Sequence, residues 1–524
     1  MAPRRACQLA LVDPIGSIHL PPVLALAFRP DRRAPEPVYR QLAGHLRALV
    51  ESGRLRAGEK LPATRELAEA LGLSRNTVNL AYEALAQARL VRAHVGQGTF
   101  VAPRAALRDG GAGAGSAAGA AGEGRGPALA WESLLAPATP VLRAALREPA
   151  EDAAPSADLR GGRVDANALP VAALRRAFAR ALDALPGYAN RFEPQGYPPL
   201  REAIAASLVA RGLACRAADV VVVQGAQEGL DLVARALLEP GDAAAVEDPG
   251  WFGARVAFAA RGAHLVGVPV DGAGLRTDAL ARVLRGRRVK LVYATPAVQA
   301  PTGVSLSDAR REELLALAEE HQCAIVEDDY DGELRLGGAA PAALAQGDAG
   351  GRVITLGTFS KALFPALRLG WLVAPPPVVR RVTALLAASH FGGSLVVQAA
   401  LAELLASGAL ERHVRRVRRL YAERLDALQV AAARALPPDA RCARPVGGSA
   451  VWLELPPGAD ARALAAALRE AGVAVTPGDA FRLEEGGRPA LYVGFASATP
   501  AALADAVTRL GALLSRPHAL GGSP

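Results

Sequence analysis

The chain has 524 residues, of which 51% are hydrophobic and 21% charged, and its formal net charge at pH 7 is +9. This length and composition are typical of a globular protein with two or more domains, and they exclude a largely disordered chain. No uninterrupted apolar run reaches 18 residues, so the sequence predicts no membrane-spanning helix.

The positive charge is concentrated near the amino terminus. Residues 29–104 contain 13 Lys and Arg against 7 Asp and Glu, which makes +6 and leaves about +3 for the rest of the chain. A small basic segment beside a nearly neutral large one indicates a polyanionic partner for the small segment. The four cysteines have neither metal-ligand nor CxxC spacing, which predicts reduced thiols in a cytoplasm and no metal site.

Three helices are predicted after an N-terminal extension, residues 1–28, in which no function is recognisable. Apolar residues at helical spacing predict the first helix over 38–52. The second is expected to have Thr64 as its N-cap and to stop at Gly72, and the third to have Ser74 as its N-cap. These features predict a helix-turn-helix, and two short strand-like runs flanking residues 94–98 predict a wing after it.

The third predicted helix presents polar side chains on its outward face. Such side chains reach base edges or phosphates when a helix lies in a DNA major groove. They are Arg75, Asn76, Thr77 and Asn79. A three-helix packing module with a solvated polar face is the alternative, but the helix-turn-helix, the wing and the basic charge together favour DNA binding.

A second domain is expected after a linker, residues 104–158, whose stretch from Asp109 to Gly126 is rich in Gly and Ala and typical of a flexible tether. From residue 159 to 515, strand-like apolar runs alternate with helical ones. This alternation predicts an α/β domain with a mostly parallel sheet. The sequence therefore predicts a DNA-binding domain over 29–103 and an α/β domain over 159–515.

One lysine is unusual in its setting. Of 60 Lys and Arg only three are lysines, and Lys361 follows a strand-like run together with Thr358 and Ser360. Lysine, unlike arginine, can lose its proton and attack an aldehyde. Two hydroxyls and Arg368 suit a phosphate monoester, so this stretch predicts a site for pyridoxal 5′-phosphate, which carries both groups. A surface Ser-Lys turn is the alternative.

Other candidate residues follow predicted strands, at the edge where open α/β sheets bind ligands. Asp328 is expected to bond the pyridine nitrogen, Tyr330 the phenolate oxygen, and Trp251 to stack on the ring. Each residue taken alone also fits a structural role, as a cap, a core ring or an ion pair. The predicted cofactor-binding residues are Gly225, Ala226, Gln227, Trp251, Asp328, Tyr330, Thr358, Ser360, Lys361 and Arg368.

Two parts of the chain resemble known families. Residues 38–102, with Leu-Pro-Ala-Thr-Arg-Glu-Leu-Ala and Leu-Ser-Arg-Asn-Thr-Val, resemble the winged helix-turn-helix of GntR-type bacterial repressors. Residues 159–514, with Gly-Tyr-Pro-Pro-Leu-Arg-Glu-Ala-Ile, Val-Glu-Asp-Asp-Tyr-Asp and Gly-Thr-Phe-Ser-Lys-Ala-Leu, resemble fold-type I aminotransferases. The combination is similar to the MocR subfamily of GntR regulators.

The resemblance implies a cytoplasmic, pyridoxal-phosphate-dependent transcriptional regulator, a head-to-tail homodimer that binds double-stranded operator DNA and senses the cofactor or an amino compound. Lys361 would bind the cofactor covalently. The implied DNA-binding residues are Arg65, Ser74, Arg75, Asn76, Thr77, Asn79 and the wing residue Gly96. A working aminotransferase that also binds DNA is the alternative, and a domain that serves only for dimerisation is a third reading.

Several positions depart from the aminotransferase pattern. Ala300 stands where these enzymes usually have an Asn for the phenolate oxygen, and Tyr492 where they have an Arg for the substrate carboxylate. Arg482 or Arg488 is an alternative source of that missing charge. Arg191 replaces a Tyr that in many relatives reaches the partner subunit's phosphate. We therefore expect cofactor binding to be intact and amino-acid binding to be altered.

Overall fold

The computed structural model describes residues 28, 30–31, 36–51, 55, 59–88, 90–94, 98–102, 155–337, 342–484 and 486–515. Contacts divide the chain into two compact units, Met1–Pro137 and Ala138–Pro524. The N-terminal extension and the linker expected at 104–158 fall almost entirely outside the described residues. Gly96 of the predicted wing lies outside them as well.

The smaller unit contains a helix-turn-helix followed by a two-stranded hairpin. Its elements are α1 (Val38–Glu51), α2 (Thr64–Leu71), α3 (Arg75–Gln87) and the antiparallel strands β1 (Val91–His94) and β2 (Gly98–Val101). Buried leucines of the three helices and valines of the hairpin form one hydrophobic core. The predicted helix-turn-helix is confirmed.

Local interactions shape the turn between α2 and α3. Gly72 adopts a φ of 61°, which glycine tolerates better than residues with a Cβ. Ser74 Oγ accepts the N–H of Thr77 at 3.1 Å, as expected of an N-cap. The expectation for Thr64 is wrong, because Thr64 is the first helical residue and Ala63 the N-cap. A hydroxyl is not needed at that position, since the carboxylate of Glu66 accepts the Ala63 N–H at 3.2 Å.

The larger unit is built on a mixed eight-stranded sheet. After the short strand β3 (Ala157–Asp158) come β4 (Val220–Val223), β5 (Ala243–Asp248), β6 (His264–Asp271), β7 (Gly274–Leu275), β8 (Val289–Ala294), β9 (Ala324–Asp329), β10 (Val353–Thr358) and β11 (Gly370–Val373). The sheet order is β4-β11-β10-β9-β8-β5-β6-β7. Strands β10, β9, β8, β5 and β6 are parallel, whereas β11 runs antiparallel to β10 and β4.

Helices cover both faces of this sheet, which explains why its strands are apolar on both sides. The helices are α4 (Val171–Asp183), α5 (Pro198–Ala210), α6 (Ala226–Leu237), α7 (Phe252–Ala260), α8 (Thr277–Gly286), α9 (Asp308–Glu320), α10 (Leu344–Gly347), α11 (Pro376–Ser389), α12 (Leu395–Ala406), α13 (Ala409–Ala435), α14 (Ala461–Glu470) and α15 (Pro500–Leu514). One core joins α6, α7 and α11 to the sheet, and another joins α8, α9 and α10 to it. Within the described parts of the chain, none of the helices is long and apolar enough to cross a bilayer.

A second, smaller sheet forms near the carboxyl terminus. Its strands are β12 (Arg441–Cys442), β13 (Ala450–Glu454), β15 (Thr476–Pro477) and β16 (Ala490–Gly494), all antiparallel to their neighbours in the order β12-β13-β16-β15. Strand β14 (Val473–Ala474) pairs instead with β3. Ala157 and Asp158, which the sequence assigned to the linker, are therefore tied to the larger unit by a distant segment.

Tyr82 joins α3 to the segment that precedes α2. Its hydroxyl donates to the Pro62 carbonyl at 2.9 Å, and only 6% of the residue is exposed. We predict that Tyr82→Phe lowers the free energy of unfolding of the smaller unit by about 0.5–1.5 kcal/mol, because the ring stays buried while the Pro62 carbonyl loses its donor. Thermal unfolding of the full chain measures this. An unchanged unfolding transition of the smaller unit, or a shift confined to the transition of the larger unit, would contradict this prediction.

Candidate functional site

The candidate residues of the larger unit meet at one edge of the main sheet. Asp328 is the fifth of the six residues of β9, and Thr358 is the last residue of β10. Because β11 is antiparallel to β10, it begins at this same edge, and Arg368 lies two residues before its first residue. The reversal of this one strand therefore returns Arg368 to the edge where the parallel strands end.

A cavity of about 300 Å³ opens at this edge. Nine of the ten predicted cofactor-binding residues line it, which brings together segments from five parts of the sequence. The tenth, Gly225, lies behind Arg368, and a Cβ built on Gly225 would be 3.5 Å from Arg368 Nη1. The lining residues are Gly161, Gly162, Ala226, Gln227, Trp251, Ala300, Asp328, Tyr330, Thr358, Ser360, Lys361, Pro365, Arg368 and Tyr492.

Hydrogen-bond donors surround one end of the cavity. Thr358 Oγ1 lies 3.0 Å from Ser360 Oγ and accepts the Ser360 N–H at 3.1 Å. Arg368 has a φ of 51°, a conformation that strains a residue with a side chain, and its Nη2 donates to the Gln224 carbonyl at 2.7 Å. Helix α6 begins beside them at Ala226 and contributes free N–H groups. Hydroxyls, a guanidinium and a helix N-terminus form a donor set that suits a phosphate.

Two residues missed by the sequence analysis hold the turn before α6. Glu228 accepts the N–H of Gln224 at 2.6 Å through Oε2. Its Oε1 lies 3.0 Å from His390 Nε2, and His390 Nδ1 lies 2.9 Å from the Gly392 carbonyl oxygen. These contacts fix the turn in which the Gln224 carbonyl accepts the hydrogen bond from Arg368. Glu228 and His390 are 162 residues apart, so no local pattern relates them.

Asp328 also lines the cavity and is 3% exposed. Its Oδ2 accepts the hydroxyl of Tyr293 at 2.8 Å, whereas Oδ1 is buried with no hydrogen-bond partner among the residues described. Burial raises the pKa of Asp328 to about 7, although the Tyr293 bond acts in the other direction. A protonated pyridine nitrogen would both satisfy Oδ1 and neutralise the carboxylate. The site therefore fits the ring as well as the phosphate of the expected cofactor.

Lys361 lies close to a glycine pair that the sequence analysis also missed. Its Nζ donates to the Gly162 carbonyl at 3.4 Å. Gly162 has a φ of 87°, and a Cβ there would lie 2.8 Å from Lys361 Nζ. A Cβ on Gly161 would collide with the Tyr492 ring. The absence of side chains thus lets this segment pass against the lysine, a role that no strand or helix pattern in the sequence indicates.

The positions that depart from the aminotransferase pattern have clear structural settings. Ala300 lines the cavity with a methyl group, so Tyr330 is the remaining predicted partner for a phenolate oxygen. Gln299, the residue before Ala300, is not one of these positions; its amide donates to Glu247 Oε2 at 3.2 Å and to the Pro249 carbonyl at 2.9 Å, and the residue does not line the cavity. Arg191 is exposed and bonds Glu193 at 2.5 Å, outside the cavity.

The predicted DNA-binding residues of the smaller unit lie around the N-terminus of α3. Arg65, Ser74, Arg75 and Asn76 are exposed, while Thr77 and Asn79 are partly buried. Ser74 Oγ lies 2.8 Å from Thr77 Oγ1, so both hydroxyls already take part in the cap. Free side-chain donors for DNA are therefore offered chiefly by the two arginines and the asparagines.

Comparison with known proteins agrees with both halves of this description. Residues 38–101 match the family of bacterial regulatory proteins called gntR, and residues 162–510 match aminotransferase class I and II. The chain is 36% identical over 401 residues to the probable rhizopine catabolism regulatory protein MocR of Rhizobium meliloti, covering 75% of this chain and 77% of that protein. It is 34% identical over 492 residues to the HTH-type transcriptional regulator TauR of Rhodobacter capsulatus, covering 89% and 94%.

Among solved structures, the larger unit is similar to LysN, the alpha-aminoadipate aminotransferase of Thermus thermophilus, which was determined in complex with N-(5'-phosphopyridoxyl)-L-leucine. The TM-score is 0.66 at 31% identity, and the match covers 74% of this chain and 98% of that one. The predicted fold-type I aminotransferase architecture is confirmed.

A buried glutamate beside the cavity makes stability depend on pH. Glu247 is 2% exposed and accepts the Thr295 hydroxyl at 2.6 Å. Burial raises its pKa from 4.5 to about 7, despite the hydrogen bonds from Thr295 and Gln299 that lower it. The pKa of Glu247 is higher in the folded than in the unfolded protein. Protonated Glu247 therefore contributes its full stabilisation below the unfolded-state pKa, and this stabilisation is lost as the pH rises through about 7.

The free energy of unfolding of the cofactor-free wild type is expected to fall as the pH rises from about 5 to about 8. We predict that this fall is smaller by roughly 1–3 kcal/mol in Glu247→Gln, because the glutamine side chain cannot ionise. Urea denaturation at several pH values measures this loss. Glu312→Gln, at an exposed position of α9, is the matched control. A pH profile of Glu247→Gln that equals the wild-type profile would show that Glu247 is ionised in the folded protein throughout this range.

Proposed function

This chain belongs to the MocR-type group of GntR-family regulators, which join a gntR-family helix-turn-helix to an aminotransferase class I and II domain, and on that basis we propose that it is a pyridoxal-phosphate-dependent regulator that binds operator DNA through α3. The observation that carries the cofactor proposal is the buried Oδ1 of Asp328. Asp328 lines the same cavity as Lys361 and the donors proposed for the phosphate. A charged donor on the ligand would complete this arrangement.

Each cavity residue has a defined task in this proposal. Lys361 Nζ would bond the aldehyde carbon, and Asp328 Oδ1 would accept the pyridine N–H and hold its proton. Thr358, Ser360, Arg368 and the N-terminus of α6 would bind the phosphate, while Trp251 would cover a ring face and Tyr330 would donate to the phenolate oxygen. When bound, pyridoxal phosphate supplies a carbonyl that reacts with primary amines and a ring that withdraws electrons.

The regulatory proposal connects this cavity to DNA. A cytoplasmic, head-to-tail homodimer would present two copies of α3 to two half-sites of an operator. The cofactor, or an amino compound that enters the cavity beside it, would be the signal. A regulator is favoured over an enzyme that happens to carry a DNA-binding domain, because TauR, whose match covers 89% of this chain and so extends over both domains, is a transcriptional regulator.

The cofactor proposal predicts a coloured protein. Purified protein reconstituted with pyridoxal 5′-phosphate should show a visible absorption band that borohydride bleaches, because Lys361 Nζ bonds the aldehyde. Lys361→Ala should lose the band while its circular dichroism stays unchanged. Lys290→Ala is the matched control, because Lys290 is the other lysine of the larger unit and pairs with Asp242 at 2.7 Å. A colourless wild type in excess cofactor would reject the assignment.

The DNA proposal predicts a specific role for Arg75. Arg75→Ala should weaken operator binding by about 1–3 kcal/mol if the guanidinium contacts a base edge. Arg47→Ala removes the same charge from the exposed side of α1 and should have the smaller effect. Fluorescence anisotropy at several salt concentrations measures both, because phosphate contacts change the salt dependence and base contacts change the preference between sequences. Equal losses in the two variants would show that α3 does not read the operator.

A further inference from the structure

With the cofactor bound as proposed, the described lining residues of the cavity leave no cation unassigned for a second ligand. Among the lining residues that the structure describes, the cations are Lys361 and Arg368. Under the proposed function, Lys361 is committed to the aldehyde and Arg368 to the phosphate. A molecule that enters beside the cofactor would therefore meet polar hydroxyls and aromatic rings but no unused cation.

The two arginines that offered an alternative source of charge are engaged elsewhere. Arg482 Nη2 donates to the Arg488 carbonyl at 2.7 Å, and its guanidinium carbon lies 6.0 Å from the centre of the Trp452 ring. Arg488 Nε donates to the Leu455 carbonyl at 2.9 Å and lies 3.6 Å from Glu454 Oε2. Neither side chain lines the cavity. The expectation that one of them supplies the missing charge is not supported by these contacts.

Aromatic rings occupy this side of the cavity. Tyr492 stands directly opposite Trp452 in the pairing of β16 with β13, and its ring centre lies 4.9 Å from that of Phe481. The ring centre of Trp251 lies 6.5 Å from that of Phe481 and 4.4 Å from that of Phe252. Burial raises the pKa of the Tyr492 hydroxyl well above its usual value, so the group stays neutral and offers a hydrogen bond without charge.

A carboxylate lies behind the same region. Asp331 is 3% exposed, its Oδ1 has no hydrogen-bond partner among the described residues, and it lines a small adjoining cavity together with Lys361. Its charge also acts on Tyr492. A buried negative charge repels an anion and attracts a cation, more strongly here than in water because the surroundings have a low dielectric constant.

We propose that the effector of this regulator is a primary amine without a carboxylate, attached to an aromatic or branched apolar body. This inference rests on the proposed cofactor function. The ammonium form of the effector would be attracted by Asp331. On reaction its nitrogen would take the place of Lys361 Nζ on the aldehyde carbon, and Lys361 would leave with the proton, as an ammonium beside Asp331, with which it lines the adjoining cavity. The apolar body suits the rings of Trp251 and Tyr492, which line the cavity and are backed by Phe481. An α-amino acid would bury its carboxylate without a cation to pair it, which disfavours binding.

Matched pairs of ligands test the proposal on the cofactor-loaded full chain. 2-Phenylethylamine and L-phenylalanine share their side chain and amine and differ by the carboxylate, as do 3-methylbutylamine and L-leucine. Each is titrated while the visible absorption of the protein and its thermal unfolding temperature are recorded. Half-saturation by each amine is expected at a concentration at least tenfold lower than by its amino acid. Equal or tighter binding of the amino acids overturns the proposal.

Variants at Tyr492 make the test specific to this wall. Tyr492→Arg introduces a guanidinium, and the ratio of amino-acid to amine affinity is expected to rise at least tenfold. Tyr492→Phe removes the hydroxyl without adding charge, and the preference for the amine is expected to persist. An unchanged ratio in a folded Tyr492→Arg protein overturns the assignment of specificity to Tyr492. If this variant does not fold, the wild-type titrations decide the ligand class.

The failure of this inference differs from failure of the cofactor proposal. A protein that acquires no colour with pyridoxal 5′-phosphate rejects the cofactor site itself. A coloured protein that prefers the amino acid rejects only the proposed ligand class, because the colour shows that the cofactor site itself is intact.

Discussion

A buried carboxylate that lacks a donor on one oxygen is the constraint on which the site depends. Asp328 lies near the end of a central strand with Tyr293 bonded to one oxygen and nothing described bonded to the other. Such a group is unfavourable when charged and unpaired, and a ligand with a positive donor at that position, as we propose for the cofactor, would relieve it.

The position of Arg368 at the cavity depends on a reversal of strand direction. If β11 ran parallel to β10, the residues before it would emerge at the far edge of the sheet, and Arg368 would be remote from Thr358 and Ser360. Its left-handed backbone conformation is maintained in a tight turn against the segment before α6. Glu228 and His390 support that segment from a helix and a loop that are distant in sequence. The donor set that we propose for the phosphate thus relies on Glu228 and His390, which do not line the cavity.

The small number of cations lining the cavity follows from the partners that arginines bind elsewhere in the fold. A chain with 60 Lys and Arg has many cations, yet Arg482 and Arg488 bond backbone carbonyls and Arg191 pairs with Glu193. Aromatic rings surround Tyr492, at the position where aminotransferases have a positively charged Arg. Composition therefore says little about the electrostatics of a cavity, because guanidinium groups are directed by the nearest carbonyls and carboxylates in the folded chain.

Local chemistry determined much of this protein from sequence by itself. Helical periodicity, Gly72 and Ser74 define the helix-turn-helix, because these features act within a few residues. The scarcity of lysine in the whole chain, together with the hydroxyls beside Lys361, singled out that residue. Only the tertiary structure decided what depends on distant segments: the glycine pair 161–162 against Lys361, the bond from Tyr293 to Asp328, and the engagement of Arg482 and Arg488 away from the cavity. These relations arise where strands and loops far apart in sequence pack at one sheet edge, and no period or spacing records which of them will meet.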